Sequence, residues 1–341
     1  MVTSIYILAD TIMVGQGVGD AGLAALTIFM PIVASFFALG LLLGVGGGVL
    51  MSVAKGSGNE SLAHKYFSTA MISAAVVSVC FAVFGAIFFD PMMYALGADT
   101  TNIELVRGYG LCYTVSAPLF IFSSSLQSFI RNDKSPRHAM IAVLTGSGLN
   151  ILLDYLFIFV FKMGMFGASF ATSIGTSITV CILVIHFFTK KNTMRFSFRF
   201  FSIKALWEIA KCGFSSFLIE CANAVLVFVF NHTLLKYIGS VGVTVYSIMS
   251  NVAVVCMSLF NGVTLAAQPI IATNHGADNH KRVLQVRHIG TITSSVIAVI
   301  IFCVGFFFPD LLIYSYVKGP TPEILELARY ALRIYFFAYL F

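Results

Sequence analysis

The chain holds 341 residues, 59% of them hydrophobic and only 10% charged, with a mean hydropathy of +0.95. A water-soluble domain carries about 25% charged residues to cover its surface. This composition therefore excludes a cytosolic enzyme, a secreted disulfide scaffold and a disordered regulator, and makes lipid the solvent for most of the chain. The net charge of +6 sits in short loops between apolar runs. The seven cysteines are odd in number and show no C-x-x-C spacing; they read as small buried hydrophobes, with neither disulfides nor zinc expected.

A bilayer-spanning helix needs about 20 apolar residues. By that ruler a partial span covers residues 1–14. Full spans are predicted near 23–52, 63–89, 103–130, 138–161, 166–188, 206–236, 242–273, 283–308 and 323–341. The fold class is thus all-α, a polytopic helix bundle. Pro31, Pro118 and Pro269 interrupt spans and read as kinks. Gly40, Gly44 and Gly48 form a smooth stripe suited to close helix packing.

Thirteen Lys and Arg lie in the connections near 54–65, 130–138, 189–204 and 274–288, whereas the intervening connections hold only Lys162, Lys236 and Lys318. Alternation of this kind is the positive-inside pattern. It predicts a multi-pass protein of the cell membrane, with its basic loops in the cytoplasm and the first partial helix running outward. The longest basic loop, 189–204, reads as an orientation anchor and linker, not as a nucleic-acid site.

The sequence also repeats. Gly22 and Gly242 each open a long span, and KGSGN at 55–59 and HGADN at 275–279 each close it, 220 residues apart. ELVR at 104–107 returns as ELAR at 326–329, Tyr113 returns as Tyr335, and FFDPMMY at 88–94 resembles FFPDLLIY at 307–314. An even number of spans separates the copies, which makes the repeat parallel, about an axis along the membrane normal. The expected organisation is two pseudo-symmetric six-helix lobes: residues 1–188, a linker at 189–204, and an incomplete second lobe at 205–341. The complete unit is expected to hold about twelve spans, with the first helix starting upstream of Met1 and the second lobe continuing past Phe341.

Three acidic residues fall deep within predicted spans: Asp10, Asp154 and Glu220. An intramembrane carboxylate is costly and is by default a functional group. Asn150 and Asp154 are four residues apart and share one helix face, as do Tyr6 and Asp10. These pairs suggest a polar pocket in the first lobe; interhelical hydrogen bonding alone is the structural alternative. No catalytic or metal-ligand motif is visible, so an enzyme is not expected, nor is a cofactor.

Four segments carry a resemblance: LADTIMVGQGVGDAGLAALTIFMPI at 8–32, FIRNDKSPRHAM at 129–140, GLNILLDYLFIFVFKMGMFGASFATSIG at 148–175 and AAQPIIATNHGADNHKRV at 266–283. In this order they resemble the multidrug and toxic compound extrusion (MATE) family, in its bacterial branch. The resemblance implies two six-helix lobes around a central cleft, acting as a monomer. It implies antiport of drugs or organic cations against H⁺ or Na⁺. It also implies an ion-coupling pocket of Tyr6, Asp10, Asn150, Asp154 and Thr172. Glu220 matches an acidic position that some members use for a cation such as Na⁺ in the second lobe. The rival reading is a lipid-linked saccharide flippase of the same superfamily. Such a protein needs a cationic cavity, whereas the deep charges here are acidic.

Overall fold

The structure is a computed structural model that describes residues 2–316 and 322–340. Those residues form thirteen α-helices and no strand. In chain order they are α1 (Val2–Gly17), α2 (Asp20–Gly56), α3 (Glu60–Ile87), α4 (Phe89–Ala95), α5 (Ile103–Val115), α6 (Ala117–Asn132) and α7 (Pro136–Asp154). There follow α8 (Gly164–Ile185), α9 (Ile203–Tyr237), α10 (Ser240–Gly276), α11 (His280–Phe307), α12 (Pro309–Tyr316) and α13 (Pro322–Phe337). A six-residue π-helix, Tyr155–Val160, links α7 to α8. Seven helices are long and apolar enough to cross a membrane, and the pair α5–α6 makes an eighth if taken as one span.

Local chemistry explains the boundaries. Asn59 caps α3 by accepting from the Leu62 amide at 3.0 Å, a standard N-cap contact. Gly58 before it holds φ at +75°, a left-handed conformation that glycine adopts without a Cβ penalty. The span predicted over 103–130 is broken: α5 and α6 meet at Ser116 with a bend of 51°. Pro118 is the cause. It lacks an amide hydrogen, and its ring would clash with the carbonyl of Thr114 in a continuous helix. Pro31 and Pro269, by contrast, lie within helices that run on past them.

The repeat is structural. Helices α2 and α10 each hold 37 residues, and α3 and α11 each hold 28. Gly19 and Gly239 both take positive φ, as do Gly58 and Asp278, at the same 220-residue spacing. The short helices α4 and α12, which were not expected from the sequence, occupy equivalent places. Each sits under a bidentate ion pair: Arg107 with Asp90, and Arg329 with Asp310.

The described residues divide into two compact units. The first comprises residues 2–222 with 272–279. Its core is aromatic: Tyr113 stacks on Phe120 at 4.1 Å across the α5–α6 bend, with Phe36 and Phe29 against them. Glycines set the helix spacing, as the stripe suggested. A Cβ at Gly44 would fall 2.7 Å from the Cα of Ser125, and one at Gly48 2.8 Å from Asn132. The second unit comprises 223–271 with the described residues after 279. Val252, Ile301, Ile313, Leu332 and Phe336 centre its core, and Phe336 covers Gly305.

The cysteines depart from expectation. All seven are free, but only Cys256 is buried, while Cys80 and Cys181 are exposed. Exposed apolar positions on a spanning helix face hydrocarbon, where a thiol is as well accommodated as in a core.

Candidate functional site: a buried carboxylate pocket

Helix α7 brings Asn150 and Asp154 onto one face, and α1 and α8 close over that face. Asp154 is wholly buried, Asn150 is 3% exposed, Thr172 6% and Asp10 8%. Asn150 donates from Nδ2 to the Thr172 hydroxyl at 3.3 Å, and that hydroxyl donates onward to the Ala168 carbonyl at 3.0 Å. Asp10 is close enough to Asp154 for the two carboxylates to repel when both are ionised. Four of the six residues picked out from sequence are thus gathered in one place. Tyr6 lies on α1, one turn before Asp10, and its side chain lies outside the described residues. Glu220 sits half-buried on α9, and no described contact joins it to the others.

Glycines make the pocket possible. A Cβ at Gly175 would fall 2.8 Å from the Gly146 carbonyl and 2.9 Å from the Asn150 Cβ, and one at Gly146 would collide with Thr179. Only bare backbone on both helices lets α7 and α8 approach closely enough for Asn150 to reach Thr172. Gly17, at the end of α1, likewise lies flat on Ile158 of the π-helix.

Two features were not legible in the sequence. The first is the π-helix. It starts immediately after Asp154 and widens the turn there; such segments recur at functional sites. The second is the state of the polar atoms. Both oxygens of Asp154, one oxygen of Asp10 and the amide oxygen of Asn150 are buried without a hydrogen-bond partner. Buried acceptors are nearly always satisfied. A cluster of four orphaned acceptor oxygens, three of them on carboxyls, is a site that calls for protons or a small cation.

A second polar cluster lies at the basic-loop end. Asp133, 2% exposed, accepts from Lys55 Nζ at 2.5 Å, from His186 Nε2 at 2.9 Å, and from both the amide (3.0 Å) and the hydroxyl of Thr193. It ties the end of α2, the α6–α7 turn, the end of α8 and the basic linker together. The linker is also strapped along α3: the Ser197 amide donates to Ser68 and the Ser202 amide to Thr69. At the far end of the linker, Tyr66 donates to Glu208 of α9 at 2.6 Å.

Repeated spanning helices around a buried carboxylate pocket define a polytopic α-helical membrane protein of the transporter class. The comparisons specify it further. The MatE family profile matches residues 1–156 and 212–341, so the chain belongs to the MatE family. It is 26% identical over 336 residues to the multidrug export protein MepA of Staphylococcus haemolyticus (strain JCSC1435), covering 98% of this chain and 74% of that protein. It is 23% identical to MepA of Staphylococcus aureus (strain MSSA476), with the same coverage. Among solved structures it superposes with a TM-score of 0.91 on MATE in complex with MaD5, at 23% identity, covering 99% of this chain and 76% of that one. A MOP superfamily transporter from Pyrococcus furiosus gives 0.89 at 22% identity over the same shares. These superpositions establish the fold.

Proposed function

We propose that the chain is a secondary antiporter that exports organic cations or drugs in exchange for H⁺ or Na⁺ by alternating access. The observation that carries this reading is the cluster of orphaned carboxylate oxygens on Asp10 and Asp154, in a family whose relatives here include multidrug export proteins. In the proposed cycle, protons or Na⁺ entering from outside neutralise the two carboxylates and release the cargo. Their loss to the cytoplasm recharges the pocket and favours a new cation. Asn150 and Thr172 hold the pocket in shape. Glu220 is proposed as the cation position of the second lobe, which begins after the basic linker. The protein works as a monomer in the cell membrane.

The test is movement of a fluorescent organic cation in proteoliposomes under an imposed pH or Na⁺ gradient. Cation efflux driven by one of the two gradients is expected, and that gradient identifies the coupling ion. Equal cation flux with and without a gradient would overturn antiport in favour of a passive pore.

The basic loops are proposed to face the cytoplasm, from their thirteen-to-three excess of Lys and Arg. Single cysteines at Glu60, Lys134 and Asn192, in a background without native cysteines, should resist a membrane-impermeant thiol reagent added outside intact cells. One at Thr100, which is exposed in the connection between α4 and α5, should react. Labelling of Asn192→Cys from outside would reverse the orientation.

A further inference from the structure

A groove of about 770 Å³ runs between α5 and α8, beside the α5–α6 bend. Its walls include Leu111, Val115, Phe166 and Phe170, all of them exposed. In a chain this apolar, exposed walls of that kind stand in hydrocarbon. The serines that line it do not make it polar. Ser173 donates to the Ser169 carbonyl and Ser177 to the Ser173 carbonyl, both at 2.8 Å, so their donors are used within α8 and only Ser116, at the α5–α6 bend, keeps a hydroxyl on the groove. The long part of the groove therefore suits hydrocarbon chains.

Only the mouth is charged, at the end away from the basic loops. Glu104 and Arg107 both line it, and a spacing of three residues puts them on one face of α5. Arg107 gives its Nε and Nη2 to Asp90, and no described contact uses its Nη1. Glu104 is exposed and makes no hydrogen bond or ion pair among the described residues. The mouth thus offers a free carboxylate beside a guanidinium edge, above an apolar trough.

From this juxtaposition we infer that the groove holds an aminophospholipid, with its acyl chains along Phe166, Phe170 and Val115 and its zwitterionic head at the mouth. The primary ammonium donates to Glu104 and the phosphate accepts from Arg107 Nη1. A primary ammonium carries three N–H donors. The trimethylammonium of a choline lipid has none and can pair with Glu104 only through its charge. A glycerol head has no cation at all and meets the carboxylate with its own negative charge. The groove therefore selects ethanolamine heads over both. This inference is independent of the transport reading and of the coupling ion.

The test uses the full chain in vesicles of a choline lipid doped with lipids brominated on their acyl chains. Trp207 is the only tryptophan, so Trp207→Phe with Leu111→Trp places one fluorophore in the groove wall. Brominated lipid with an ethanolamine head should quench with an association constant about three to five times that of the choline lipid, the range an exposed charge-assisted contact supports. Glu104→Gln should erase that preference. A reporter at Val115→Trp should give the same ordering, and one at Val83→Trp, on the exposed face of α3, should show no preference. Equal quenching by ethanolamine, choline and glycerol lipids at Leu111→Trp and Val115→Trp would overturn the inference. So would a preference that survives Glu104→Gln.

Discussion

Asp154→Asn should leave the protein folded and inserted, and should reduce gradient-driven cation efflux to the level of protein-free liposomes. The substituted amide keeps the size of the carboxyl but cannot take up or release a proton, and it holds a cation far less well. Stability should be maintained or rise, because a carboxylate within a spanning segment is costly, up to about 2.5–3.5 kcal/mol at a helix centre on insertion scales. Asp10→Asn should weaken efflux as well. Because the two groups share one pocket, the double variant should lose no more than Asp154→Asn alone, the non-additivity expected of residues acting as a unit. The measurement is dye efflux in proteoliposomes, with thermal melting in detergent as the control for folding. Undiminished gradient-driven efflux by Asp154→Asn would leave the residue as interhelical packing.

Asp133→Ala should act the other way, on stability first. The substitution strips a half-buried Lys55, a buried His186 and the exposed Thr193 of their common acceptor. Because Lys55 reaches solvent, the cost falls below the about 3–5 kcal/mol of breaking a fully buried ion pair, but it still lowers the melting temperature and opens the linker at 189–204 to protease. Removing both charges, with Lys55→Met and Asp133→Leu together, should recover part of the loss, since no uncompensated charge then remains buried.

The same residue sets a pH dependence. Burial by itself would raise the Asp133 carboxyl. Hydrogen bonds from Lys55, Thr193 and His186, with the Lys55 charge, outweigh burial and hold it below its ordinary value of 3.8. A carboxyl depressed in the folded state binds its proton less readily there than in the unfolded chain. Its stabilisation is therefore present above the unfolded value and is lost as pH falls through the folded one. The melting difference between wild type and Asp133→Ala should be constant above about pH 5 and should shrink below it. A difference that held steady down to pH 3 would mean that the carboxylate is not what holds the cluster together.

Much of this was legible beforehand, and for identifiable reasons. Span positions follow from apolar run length, which is a local property. The predicted 23–52 and 242–273 fall inside α2 and α10, each with two to four further residues at its ends. Gly40, Gly44 and Gly48 declared their packing through spacing alone. Asp10, Asn150, Asp154 and Thr172 could be named because a polar residue in a lipid-solvated helix is rare enough to stand out.

What stayed hidden was of another kind. Pro118 was legible as a kink, but not the full break into two helices, bent by 51°, that it makes at Ser116. Glu104, Arg107, Glu326 and Arg329 could be seen in the sequence only as a repeated motif. In the folded chain the two arginines are clamped on Asp90 and Asp310, and Glu104 is left at the mouth of a groove.

The sequence by itself determined the solvent, the helical class, most of the spans, the 220-residue repeat spacing and which polar residues fall inside the helices. Each of these is written in composition or in spacing along one helix or between repeats. Only the tertiary structure decided which helix faces meet. It gathered Lys55, Asp133, His186 and Thr193 from four segments, and it set Gly146 against Gly175 so that Asn150 reaches Thr172. It also opened a π-turn at Asp154 and left the carboxylate oxygens there without partners. The physical reason is that periodicity records which side of a helix is apolar or polar, but not which other helix will cover it. In a lipid-solvated chain, where both the interior and the outer surface are apolar, even the buried face is not marked by hydropathy.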